Sequence, residues 1–528
     1  MTYRIAAKLA VLSMLGLAPA RALAAPTFVR LSVIGDSATQ IGVAWTTLTG
    51  TPEATVEYGT TSGSYTKTAT GTVESNISAT LGHTSVATLS GLSPNTTYFY
   101  RVGGAQGGFS KEYTFRTGPT VNAKCGTYRF AYAGDSRAEA WEQANGAAVK
   151  WPLIAGKLVS YKPHFVLHGG DIVYDGNQQG QWVAMLTKSD PFIGQVPFMW
   201  SIGNHDDGPG EGDGANFNRI FHLPRSAQAL GGSGTEDFYA FKYGNGIFIA
   251  LATDSYKGGA TPFANQAAWL DKLLTQNPAT WKVVYLHKPV YTQYLFINHK
   301  PNEENQNQAF VPVFNKHHVD IVIGSHNHFY ERFAPSACQN GGSDVPCPVS
   351  GFDKGTVFMT SGGGGAFPVF VSGGVDAVRV ATSGVHHFLL FDVVNNKLDM
   401  QVLDENGAMV DKFSITKAFT GPDPCAAPPD GGGPAQDGAT AADGATADSA
   451  TPAKDSATPT SDGPAASKDS TAPTSDSAAT SKDSGSTGSN NSSSGCCRVA
   501  GGHDAPTATT LLLLACALLW WVRRQRRR

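Results

Sequence analysis

Phe165-Val166-Leu167-His168-Gly169-Gly170-Asp171-Ile172-Val173-Tyr174 carries the pattern from which the architecture follows. A short apolar run bounded by glycine reads as a strand buried on both faces. The glycine pair allows a sharp turn, and the turn delivers a carboxylate and a phenol beyond the strand's end. The same punctuation recurs along the chain. Phe130 to Ala133 runs into Gly134-Asp135, and a later segment carries Gly203-Asn204-His205-Asp206. Val283 to Leu286 ends in His287, and Ile321 to Ile323 runs into Gly324-Ser325-His326-Asn327-His328. A further apolar run covers Ile247 to Ala252, and helical stretches cover Ala147 to Ser160 and Asn265 to Gln276. Strands alternating with helices predict an α/β domain, with its ligand site in the loops beyond the carboxyl ends of the strands.

Outward towards the N-terminus, residues 25–119 read as a separate all-β domain. Runs at Thr39 to Trp45, Ala54 to Tyr58, His83 to Leu89, Thr97 to Val102 and Lys111 to Thr117 are rich in Val, Thr and aromatics and broken by Gly, Ser and Asn turns. That pattern predicts a small immunoglobulin-like β-sandwich. Leu92-Ser93-Pro94-Asn95-Thr96-Thr97-Tyr98-Phe99-Tyr100 resembles the tyrosine-corner region of fibronectin type III-like domains. Residues 1–24 join Arg4 and Lys8 to a short apolar run and Ala22-Leu23-Ala24, the pattern of a secretory signal peptide. Export permits disulfides, and Cys338–Cys347 and Cys125–Cys425 are the pairings considered, with connectivity left open by sequence.

Beyond the α/β domain, taken as 122–420, residues 421–495 turn to Ala, Ser, Thr, Asp, Pro and Gly, the composition of a disordered linker. Residues 496–528 place Cys496-Cys497 before an apolar stretch from Thr507 to Val522 and five arginines. This end resembles the C-terminal sorting signals of myxobacterial surface proteins, which implies a membrane or cell-surface anchor. A formal net charge of −3 lacks the broad basic footprint of a polyanion binder, so no specific nucleic-acid binding is expected.

The strand-end residues form a ligand list. Asp171 suits a shared ligand, because one carboxylate bridging two cations damps their repulsion. Two metals close together activate a water and clamp a transferring phosphoryl group. Oxygen and imidazole donors suit Fe, Zn or Mn, and no CxxC pair points to a zinc–thiolate site.

The series resembles the dinuclear metallophosphoesterase superfamily, and Tyr174 within Gly-Asp-x-x-Tyr makes it similar to the purple acid phosphatases. The resemblance implies a two-sheet α/β/β/α sandwich behind the fibronectin-like domain. It implies Fe(III) on Asp135, Asp171, Tyr174 and His328, with Fe, Zn or Mn on Asp171, Asn204, His287 and His326. His205 would face the substrate as the catalytic imidazole, and a metal-bound hydroxide would attack a phosphomonoester. A phosphodiesterase or nucleotide hydrolase with the same ligands stays open, as does a non-catalytic surface adhesin.

Two positions depart from the family pattern. Gly134-Asp135-Ser136-Arg137 replaces the usual Gly-Asp-x-Gly. Arg137 is expected either to bind substrate phosphate as a bidentate donor or to face solvent or Glu139. His299 stands, at a looser spacing, where plant-type members carry substrate-binding histidines. Gly362 to Gly365 lacks a P-loop ending and reads as a tight loop near the site, His386-His387 as structural, and His317-His318 as a helix end.

Overall fold

Alternation explains the first domain. In the strands Thr27–Ser32 and Ile41–Thr47, Val29, Leu31, Ile41, Val43 and Trp45 point into a sandwich core shared with Val56, Tyr58, Tyr98, Tyr100 and Phe115. The intervening Arg30, Ser32 and Thr46 are buried too, because the opposite face packs on the α/β domain. Arg30 Nε donates to the carbonyl of Ile220 at 2.7 Å, and Ser32 Oγ donates to that of His222. In this computed structural model, residues 25–138, 149–208, 215–224, 230–253, 262–293, 302, 305–339, 344–369, 376–419 and 421–425 are described. The expected signal peptide, the expected linker beyond residue 425, the C-terminal segment, His299 and Glu139 lie outside them.

The all-β domain has two sheets. One runs Thr27–Ser32, Ile41–Thr47, Gly82–Leu89, Thr72–Ser78, and the other is built on Lys67–Thr70, Thr55–Gly59, Thr97–Gly104 and Tyr113–Arg116. The tyrosine corner is present, with Ser93 N–H donating to Tyr98 Oη at 2.9 Å. Strand limits shift from the sequence reading by a few residues, so that Thr39 and Gln40 precede the second strand.

The α/β domain also holds two sheets. The six-stranded one runs Phe198–Trp200, Phe165–His168, Thr127–Ala133, His387–Val394, Lys397–Asp404, Met409–Thr416. The seven-stranded one runs Tyr239–Tyr243, Gly246–Leu251, Trp281–Leu286, Ile321–Gly324, Val357–Ser361, Tyr330–Phe333, Arg379–Ser383. The continuous apolar runs are the parallel strands, such as Thr127–Ala133 beside Phe165–His168 and Trp281–Leu286 beside Ile321–Gly324. Antiparallel strands complete each sheet.

Aromatic rings interdigitate between the sheets, Phe130 against Phe248 at 5.1 Å and Phe165 against Phe248 at 4.8 Å. Trp151–Ser160 and Gln179–Ile193 place Trp151, Leu158, Trp182 and Met185 in that same core. Phe263–Gln276 and Gln306–His317 place Leu270, Phe310 and Phe314 in a second core with Ile249 and Val284. The last helix stops where His318 turns left-handed at φ +48°, as the paired histidines suggested. Both disulfides, Cys125–Cys425 and Cys338–Cys347, are formed. Among the described residues no helix is long and apolar enough to cross a membrane.

Candidate metal centre

The carboxyl ends of Thr127–Ala133, Phe165–His168, Trp281–Leu286 and Ile321–Gly324 converge, and the turns after them carry the polar residues. Asp135, Asp171 and His326 each hold a left-handed backbone, with φ of +59°, +52° and +67°. Non-glycine residues adopt that conformation rarely, and it clusters at functional sites. Glycine is needed beside them. A Cβ on Gly203 would come within 2.3 Å of Asp171 N, and Gly170 itself turns at φ +89°. The glycine run packs here as well, Gly364 N donating to Gly134 O and Ala366 N to Asp135 O, both at 2.8 Å.

Two groups of donors form, Asp171 with His287 and His326, and Asp135 with Asp171 and His328, their ligand atoms within 4.8 Å of one another in each. Asp171 belongs to both. Asn204 joins the first group, its Oδ1 lying 3.0 Å from His287 Nε2. The tautomer of His287 follows from its other nitrogen. Nδ1 lies 2.9 Å from the carbonyl of Gly169, which only accepts, so Nδ1 carries the proton and Nε2 offers a lone pair. That lone pair faces Asp171 Oδ1 at 3.1 Å and His326 Nδ1 at 3.2 Å. Acceptors converging so closely are reconciled by a shared cation, and the oxygen–imidazole set fits Fe, Zn or Mn. In the second group Asp135 Oδ1 is buried with no hydrogen-bond partner and lies 3.5 Å from His328 Nε2. The residues present fit a two-metal centre.

Arg137 does not face solvent; it is only 7% exposed. Its Nε donates to Asp171 Oδ2 at 3.1 Å and its Nη2 reaches His328 Nε2 at 3.2 Å. Tyr174 is half-buried, its ring 5.5 Å from the guanidinium carbon and 5.1 Å from the His205 ring. His205, half-buried, donates its backbone N–H to Asp171 Oδ1 at 3.0 Å, and its Nδ1 lies 2.5 Å from the Tyr174 carbonyl. Burial alone would raise Asp171, but its surroundings, the fixed positive charge of Arg137 among them, outweigh it and hold the carboxyl well below the usual range. Burial lowers the His205 pKa, Asp171 opposing the shift and Arg137 reinforcing it.

Supporting residues were less visible in the sequence. Asp206 accepts from Ile172 N at 2.7 Å, Val173 N at 3.1 Å and Gly203 N at 2.9 Å, tying the Asp171 and Asn204 turns together. Its place one residue after His205 was the available signal. Gln181 Oε1 accepts from Tyr174 N and Asp175 N at 3.1 and 3.0 Å. Buried His168 touches Ser136 Oγ at 3.1 Å beneath the centre, and nothing in its strand context marked it out. His387 is structural, with Nε2 2.9 Å from Ser361 Oγ and Nδ1 2.8 Å from the Val385 carbonyl.

Residues 26–117 match the purple acid phosphatase N-terminal domain, and residues 131–330 match the calcineurin-like phosphoesterases. The chain is 26% identical over 328 residues to a probable purple acid phosphatase of Arabidopsis thaliana, covering 58% of this chain and 70% of that protein. It is 26% identical over 291 residues to an Fe(3+)-Zn(2+) purple acid phosphatase of the same plant, covering 51% of this chain and 57% of that protein. The fold superposes on a purple acid phosphatase isolated from yellow lupin (Lupinus luteus) seeds with a TM-score of 0.61, at 22% identity and covering 74% of each chain. The chain thus carries a segment similar to the purple acid phosphatase N-terminal domain followed by one similar to the calcineurin-like phosphoesterases, and these matches support a metal-dependent phosphoric ester hydrolase.

Proposed function

We propose that the protein is an exported, surface-anchored phosphatase that hydrolyses phosphomonoesters at a two-metal centre. The observation that carries this reading is Asp171, buried and shared by two donor groups, with half-buried His205 beside it. Asp135, Asp171, Tyr174 and His328 would hold ferric iron, and Asp171, Asn204, His287 and His326 would hold Fe, Zn or Mn; one relative bears the name Fe(3+)-Zn(2+) purple acid phosphatase. Metals held there supply Lewis acidity towards a water and the phosphoryl oxygens. The protein's own part is to orient and to move protons. Asp206 and Gln181 fix the two turns, and His205 meets the substrate with its exposed edge, stabilising a phosphoryl oxygen or protonating the leaving group. Export and anchoring are supported by the N-terminal apolar run and by the arginine-flanked apolar stretch at the C-terminus.

Metal analysis with aryl-phosphate turnover tests the reading. The metal-loaded chain should hydrolyse an aryl phosphomonoester, lose activity to a chelator, and show a tyrosinate-to-iron absorption band that Tyr174→Phe abolishes. Preference for bis-aryl phosphodiesters would reassign the substrate class. A protein without metal or turnover would instead fit an adhesin.

A further inference from the structure

The two donor groups are not equivalent, and Arg137 makes the difference. In the Asn204 group, Asp171 Oδ1, Asn204 Oδ1 and His287 Nε2 face one another as acceptors, with His326 Nδ1 3.2 Å from His287 Nε2. In the group of Asp135, Asp171 and His328, the half to which Tyr174 is expected to add its phenol, a protein cation already lies among the acceptors. His328 Nδ1 lies 3.0 Å from the Phe367 carbonyl, so Nδ1 carries the proton and Nε2 holds the ring's one lone pair. Arg137 Nη2 donates to that lone pair, Arg137 Nε donates to Asp171 Oδ2, and the guanidinium lies beside the Tyr174 ring. All three partners are ligands expected of the first metal.

The side chain is also held in place from behind. Its Nη1 donates to the Ala138 carbonyl at 3.2 Å, and its backbone N–H donates to the Asp171 carbonyl at 3.0 Å. A guanidinium stays charged at any working pH and is not silenced by deprotonation.

Resting on the phosphatase reading above, we infer that Arg137 is an internal competitor for the Tyr174 half of the centre. A metal takes the Asn204 half first and tightly. Binding at the Tyr174 half requires the guanidinium to surrender His328 and Asp171, so that half fills second and weakly. Once displaced, the fork stays tethered beside the centre, where a phosphate oxygen is the natural new partner.

The test is equilibrium dialysis of the chelator-stripped full chain against Zn(II), and separately against Fe(III), with bound metal counted directly. Wild type should show two classes of site, the weaker at least about tenfold less avid. Arg137→Ala should tighten only the weak class, by about tenfold or more, and leave the tight class as a control for an intact fold. Arg137→Lys, which keeps the charge, should leave the weak class weak. With iron, the tyrosinate band should appear at stoichiometric metal in Arg137→Ala but only at excess metal in wild type. Two equally tight sites in wild type, or a weak class unmoved by Arg137→Ala, would overturn the inference while leaving the phosphatase reading intact. A wild type that binds no metal would remove both.

Discussion

His205 combines three features: a backbone N–H on the shared carboxylate, a ring nitrogen at the Tyr174 carbonyl, and a half-buried side chain. His205→Asn keeps the backbone contact and removes the proton-carrying ring. Steady-state kinetics on an aryl phosphate should show kcat lower by about 10²–10³. Metal content by elemental analysis should be unchanged, because the ring belongs to neither donor group. Asp206 acts through others. Asp206→Asn keeps one acceptor oxygen where the carboxylate satisfies three N–H groups, so a buried donor is left unpaired. That should cost about 1–3 kcal/mol in denaturant unfolding. It should also weaken retention of both metals under chelator challenge, whereas a purely structural loss would leave retention in the folded fraction unchanged.

The disulfides act on elements. Cys125–Cys425 spans 300 residues and Cys338–Cys347 spans 9. The entropy removed from the unfolded chain grows with loop length, to about 6 kcal/mol for the long loop and about 2–3 kcal/mol for the short one. Calorimetry should therefore find a larger drop in Tm for Cys125→Ser/Cys425→Ser than for Cys338→Ser/Cys347→Ser. Legibility in the sequence followed burial. Phe165–His168 was readable in full because a parallel strand covered on both faces must be apolar throughout. Lys67–Thr70 is mostly exposed and Met409–Thr416 is a half-exposed edge, so neither prints a hydrophobic pattern. Gln179–Ile193 was missed because it buries Gln181 and Ser189 for hydrogen bonding and contains Pro191, which blurs its apolar stripe. At the site, ligands preceded by glycine stood out. Asp206, Gln181 and His168 did not, since they serve backbone N–H groups and a hydroxyl rather than an ion. The burial of Arg137 was likewise invisible, because only the fold brings His328 to it.

Across the whole molecule, buried basic side chains set the response to acid and to domain separation. His387 is fully buried, and burial brings it from the ordinary 6.5 down to about 4; His168 falls to about 3 for the same reason. Both stay neutral in the fold while the unfolded chain takes up their protons. Their contribution to stability is therefore complete above pH 6.5 and is lost as pH falls towards 4, at about 1.4 kcal/mol per unit for each ring. Tm should fall over that window, and His387→Asn should reduce the fall. Arg30 joins the domains, reaching Ile220 O and Phe28 O at 2.7 and 2.6 Å and Thr46 Oγ1 at 3.1 Å. Arg30→Ala strands those acceptors, so unfolding free energy should drop by about 3 kcal/mol with metal content unchanged. The long disulfide has a mechanical consequence as well. Cys425 is joined to Cys125, two residues before the strand Thr127–Ala133 inside the six-stranded sheet. Without that bond, tension on residues beyond 425 would fall on Met409–Thr416, the edge strand, and peel it away one hydrogen bond at a time. With it, tension enters an interior strand through a covalent link, so the fold resists as a clamped plate under load rather than as a zipper.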